Sequence, residues 1–336
     1  MPLPLLIGGA ILLGGWGAKK GIDAKKDFAK ASEYNSDAKR IYELACENLN
    51  TSRKSTNQYL EDLGRTKLSI YTKSLKRFDN LYKQIKGFDL SALKTDSSVN
   101  TVHELLEMRN ISISMEEIAG TGLASVSAGA LAGIGAYGGA MTFAAASTGT
   151  AISSLTGVAA TNATLAWFGG GSLAAGGMGM AGGMAVLGGV VAGPVLMVAG
   201  MIAAAKAEEA RADAYSNYQK AKVVAEAMNA SKKTSDIIGL ISNEINDRLI
   251  ELDSYFKYML IRLNEVVRVN GTKDWKYYDR EDQNIVGNTT IFAITLKQIM
   301  DFSIFDAEGN PMYEIINKSK ALERQAMDLY EKISTI

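Results

Sequence analysis

Apolar side chains recur at helical spacing along most of this chain. Leu60, Leu63, Tyr71, Leu75, Phe78, Tyr82 and Ile85 follow at steps near three and four, with Lys67 in one expected seam position. Such a stripe predicts a helix within 24–86 that packs in an antiparallel bundle or coiled coil. A cleaner seam runs through Ile238, Ile241, Ile245, Leu249, Leu252, Phe256, Met259, Leu263 and Val266. It predicts a second long helix over 206–268, with the 55–86 stretch as partner. A shorter helix is expected over 100–118, after the break GFDLSALKTDSSVN, and an amphipathic helix over 312–336. Between 269 and 313 the polar, turn-rich NGTKDWKYYDREDQNIVGNTT gives way to TIFAITLKQIMDFSIF. A small irregular or β-containing cap is expected there.

Between the two seams the alternation of polar and apolar positions stops. Residues 118–205 contain no charged side chain and hold 21 of the 33 glycines. An uncharged run of that length exceeds what a soluble core helix needs. Yet the run is mainly Ala, Gly, Ser, Thr and Met, whereas each central Leu or Ile favours insertion by only ~0.3–0.6 kcal/mol. The best single span is MAVLGGVVAGPVLMVAGMIAAA at 184–205. Gly129 and Gly133, Gly135 and Gly139, Gly179 and Gly183, and Gly189 and Gly193 are each four apart. That spacing lets helix backbones approach closely. Breaks at 147–150 and 167–171 divide the run into expected helices at 118–146, 151–168 and 173–205.

The fold class expected is therefore mainly α: long amphipathic arms forming a bundle around a Gly/Ala-rich transmembrane or membrane-insertion module. Four parts follow, at 1–18, 19–117, 118–205 and 206–336. Residues 2–18 are apolar and are followed by Lys19, Lys20, Lys25 and Lys26. They read as a membrane anchor or interfacial segment, or as a peptide buried against the protein itself.

Charge refines this outline. The whole chain is neutral, but residues 1–86 hold 16 basic and 9 acidic side chains. Lys73, Lys76, Arg77, Lys83 and Lys86 form a basic run that suits anionic lipid, an oligonucleotide or plain solvent. Trp275, Lys276 and Tyr277 interleave aromatic and basic groups, which can stack bases or sit among lipid headgroups. Asp274, Asp279, Glu281 and Asp282 dilute that potential. Glu116 and Glu117 stand as paired carboxylates or as a charged collar where the uncharged run begins. Cys46 and His103 are the only cysteine and histidine, which excludes a disulfide framework and leaves little for a zinc site. No GxxxxGK[ST], HExxH or CxxC occurs, so no catalytic residue, metal or cofactor is expected.

The layout of amphipathic arms around a Gly/Ala-rich block resembles α-helical pore formers and apolipoprotein-L-like proteins. Within residues 160–200, ATLAWFGGGSLAAGGMGMAGGMAVLGGVVAGPVLMVAG resembles bacterial membrane effectors of anti-phage defence, among them the Hailong membrane effector family. That resemblance implies a channel-forming effector held inactive by short DNA oligomers from a partner nucleotidyltransferase. No oligomer-binding residue carries over. The expectation is a non-enzymatic, toxic, oligomeric pore former, on or in the bacterial inner membrane and soluble before triggering. Its expected partners are the bilayer, further copies of itself and a regulatory nucleotide or oligonucleotide. The alternative is a non-conducting membrane-anchored or membrane-shaping structural protein. No small-molecule substrate is expected.

Overall fold

The computed structural model describes residues 18–88, 101–120, 126, 128–137, 210–271, 273–306 and 310–334. Helix α1 spans Ala18–Ser69 and continues through a π-helical turn, Ile70–Leu75, into α2, Lys76–Tyr82. Then come α3 at Thr101–Ala119, α4 at Ala128–Tyr137 and α5 at Ala210–Asn270. A 3-10 turn at Trp275–Tyr277 leads to α6 at Arg280–Met300 and α7 at Ile315–Ser334. The described residues are mainly helical and contain no strand, only isolated bridges.

Contacts divide the chain into two units. One holds Met1–Glu47 with Ala192–Met228. Among its described residues, Ala31, Ala38 and Ala45 are buried at heptad spacing, as are Ala214, Ala221 and Met228. Tyr34 packs on the rings of Tyr215 and Tyr218, at 5.3 and 5.6 Å. The other unit holds Asn48–Val191 with Asn229–Ile336, and contains the main core.

In that second unit both predicted seams are buried, with Tyr82 half-buried. They face each other, but not antiparallel. Thr56 donates to the Ser235 carbonyl at 2.8 Å, Ser74 to Asp253 at 2.5 Å, and Phe78 lies 6.1 Å from Phe256. Partners advance together along both chains, so α1 and α5 run parallel. A hairpin loop does not set their direction, because the long intervening segment permits a parallel return. The buried Arg248 ties α5 to α7 through Glu323 and Ser319, at 3.1 and 3.2 Å.

Among the described residues of 269–313 no strand forms, only the bridges Lys86–Asp274 and Phe305–Pro311, the latter antiparallel. Nearly half of the range forms α6, a 21-residue helix. Asp279 caps it, accepting from the Asp282 amide at 2.8 Å. Its β-branched threonines are accommodated because Thr289, Thr290 and Thr295 donate to carbonyls four residues back. Burial then decides helix over strand, against the local preference of TTIFAIT.

The expected 118–146 helix is also replaced. Ala119 ends α3, and Gly120 follows at φ +47° with its amide on the Glu116 carbonyl at 2.9 Å. Helix α4 begins afresh at Ala128 and is ten residues long. Ten residues span only ~15 Å, half of a ~30 Å hydrocarbon core. Among the described residues no helix is long and apolar enough to cross a membrane. That finding overturns the transmembrane, pore-forming and ion-channel reading: α4 lies against its own bundle, and the other described helices carry charges. The expectations for residues 1–17, for the 151–168 and 173–205 helices, and for Gly139, Gly179, Gly183, Gly189 and Gly193 lie outside the described residues.

Candidate functional site

The site grows from a glycine inside α1, five residues before its C-terminal end. Glycine inside a helix costs ~1 kcal/mol relative to Ala, so Gly64 needs a reason. A Cβ there would lie 1.8 Å from the Leu131 carbonyl oxygen of α4. Reciprocally, a Cβ on Gly135 would lie 2.2 Å from the Leu60 carbonyl oxygen. The two helices cross with backbones in contact, and Leu131, Ile134 and Ala136 are buried beside them.

One turn along α1, Lys67 is 1% exposed. Its ammonium donates to the Gly135 carbonyl at 2.9 Å and to the Phe302 carbonyl at 3.4 Å. These are carbonyls that a helix end and a turn leave available. The Ile304 amide donates to the next carbonyl, that of Ala136, at 2.7 Å. So the last turn of α4 is held by the Lys67 side chain and a backbone amide, both from the bundle.

Burial pulls the Lys67 pKa down to about 7, with Asp301 only partly restoring it. Asp301 ends α6 and belongs to a second buried charge group. Lys297, 2% exposed, donates to Asp301 at 2.5 Å and to Glu104 and Glu107 at 2.9 Å. Burial alone would lower the Lys297 pKa, but these three carboxylates outweigh it and hold the ammonium charged. Their oxygens lie within 4.8 Å of one another, and the ammonium already serves as the cation among them. Burial raises Asp301, against the pull of Lys297 and of the Tyr71 hydroxyl, which donates to it at 2.9 Å. Burial, then Asp301, pushes the Tyr71 phenol well above its ordinary value. Tyr71 belongs to the π-turn, whose extra residue resets the helix face between Lys67 and Phe78. Two lysines thus share one carboxylate neighbour. One is locked in the charged form and the other is poised near neutrality.

The residues singled out in the sequence fall in several places. Gly129 is in α4, and Gly133 and Gly135 are buried in it. Glu116 pairs with Lys76, while Glu117 is exposed two residues before the end of α3. Lys83 pairs with Asp79, which Arg109 also holds at 2.7 Å. Lys73, Arg77 and Lys86 are exposed. The Lys86 carbonyl accepts the Trp275 amide at 2.8 Å, which joins the basic run to the aromatic one. Trp275 packs edge-on to Phe88 at 4.5 Å, and the Lys276 ammonium lies 5.0 Å from the Tyr277 ring centre. Gly87, at φ +69°, makes that junction, since a Cβ would lie 2.6 Å from the Asp274 carboxylate.

The buried group itself was only partly foreseen. Lys67 stood out as a cation in an apolar seam. Lys297, a lone charge inside TIFAITLKQIM, carried the same signal. Gly64 and the Glu104–Glu107–Asp301 convergence were missed, because nothing local links positions so far apart in the chain. No family model, no curated protein and no solved structure matches this chain.

Proposed function

We propose that this chain is a non-catalytic, non-conducting helical effector that acts by assembly, with its Gly/Ala-rich stretch as the assembly element and the bundle as its restraint. The docking of α4 on α1 at backbone contact carries this reading. A helix whose contact face is glycine gains little from water-driven burial of side chains and much from close fit. The same face suits a second copy once it leaves the bundle. The exposed Lys73, Arg77 and Lys86 fit work beside an anionic surface, such as the cytoplasmic face of a bilayer.

Gly64→Leu tests this in the full chain, because the new side chain cannot fit against Leu131 and leaves the glycine face of α4 intact. Light scattering after gel filtration, with and without anionic vesicles, reads the mass. The variant is expected to self-associate more than the wild type, and vesicles to strengthen association in both. A variant of wild-type mass whose α4 is nevertheless open to protease would end the proposal.

A further inference from the structure

Lys67 differs from other buried polar groups here in what it holds. Asp253, Arg248 and Lys297 join side chains of helices within the bundle. Lys67 instead holds the main chain of α4, the first helix of the uncharged stretch, at its C-terminal turn. Helix α4 brings no charged side chain of its own to that contact. The charged and titratable groups around Lys67 all come from the bundle. They are Asp301, which ends α6 and acts on Lys67 directly, and behind it Tyr71 on the π-turn, Lys297 on α6, and Glu104 and Glu107 on α3. Asp301 bonds to Lys297 and Tyr71, and Lys67 is left with carbonyl oxygens as its direct partners.

We infer that Lys67 is a proton-operated latch: α4 docks over it best in the neutral form, and protonation of the buried amine loosens the root of the Gly/Ala-rich stretch. This inference rests on the docked-helix reading above and adds the signal that works it.

The direction follows from linkage. When α4 leaves, Lys67 meets water and titrates near the ordinary lysine value of about 10.4. With α4 docked it titrates at about 7. Docking therefore releases a proton between those values, and strengthens as pH rises through that window. Below about 7 the amine is charged in both states and the dependence on Lys67 flattens. Between pH 8 and pH 6 the docking constant is expected to fall about tenfold, most of it above pH 7. Asp301 acts with the opposite sign. Burial raises its pKa, so docking favours its protonated form in the acid range. Lys297 stays charged throughout and adds no slope.

Hydrogen exchange of the full-length protein reads this directly. Protection of Leu131–Ala136, corrected for the intrinsic rate, is expected to fall about tenfold from pH 8 to pH 6. Protection of Ile294–Ile299 in α6 should stay constant. In Lys67→Met the fall should vanish or reverse, with α4 better protected than the wild type at pH 6. A Lys67→Met variant that keeps the wild-type slope overturns the latch, and so does a wild type without slope. If the variant does not fold, the wild-type slope stands beside the 13Cε shift of Lys67, whose midpoint must lie near neutrality; a midpoint near 10 overturns the proposal. None of these readings involves self-association. A failed latch with Gly64→Leu still assembling therefore leaves the assembly reading intact, and a working latch without assembly removes only the latter.

Discussion

Gly64→Ala separates close helix contact from helix propensity by the sign of its effect. In the interior of an exposed helix, this change stabilises by ~1 kcal/mol. Here the added Cβ would lie 1.8 Å from the Leu131 carbonyl oxygen, against about 3.4 Å for ordinary contact. The helices must therefore part by about 1.6 Å, and a gap of even ~0.5–1 Å forfeits a quarter to a half of the dispersion at a contact. Forced overpacking of this kind costs about 1–3 kcal/mol. The Lys67–Gly135 bond, at 2.9 Å, would not survive the shift, and a bond from an amine that is mostly neutral at pH 8 contributes about 0.5–1.5 kcal/mol. Less the propensity gain, α4 docking should weaken by about 1–3 kcal/mol. That corresponds to roughly fivefold or more in the docking constant. Hydrogen exchange over Leu131–Ala136 at pH 8 measures it, with α6 as internal reference. Protection equal to or above the wild type would mean that propensity governs and that the helices are not in backbone contact.

Two further outcomes test the buried charges and the β-branched helix. Lys297→Met leaves Glu104, Glu107 and Asp301 without their shared cation. Burial already raises the Asp301 pKa, and without Lys297 its main opponent is gone, so stability should fall as pH rises through the carboxylate range. Urea unfolding should show a loss of about 3–5 kcal/mol at pH 8 and a smaller one at pH 5; equal losses would refute the role assigned to Lys297. Thr290→Val should change stability by less than about 1 kcal/mol, since the hydroxyl serves only its own helix, donating to Val286 at 2.8 Å. A loss above about 2 kcal/mol would reveal a partner outside α6.

Much of the helical frame was legible in order along the chain. The seams through Leu60–Ile85 and Ile238–Val266 depend on a period that survives any tertiary arrangement, because a helix must bury one stripe. Their pairing was legible too, since two long stripes need each other. Their parallel direction was not: periodicity carries no sense of direction, and only the contacts from Thr56–Ser235 to Phe78–Phe256 decide it. TTIFAITLKQIM misled for a related reason. Its β-branched residues favour a strand locally, but burial on several sides makes a helix with self-satisfied threonines the better solution.

The uncharged stretch marks the boundary most sharply. Its want of charge and its glycine spacing follow from the sequence, and together they predict close helix packing. What α4 packs against does not follow. Close packing depends on a matching gap on another helix, and that gap is Gly64, some seventy residues earlier and outside the stretch. Likewise, a lysine in an apolar seam announces a buried cation. Whether it is locked, as Lys297 is, or poised, as Lys67 is, depends on how many carboxylates reach it, and that is fixed only when α1, α3 and α6 converge.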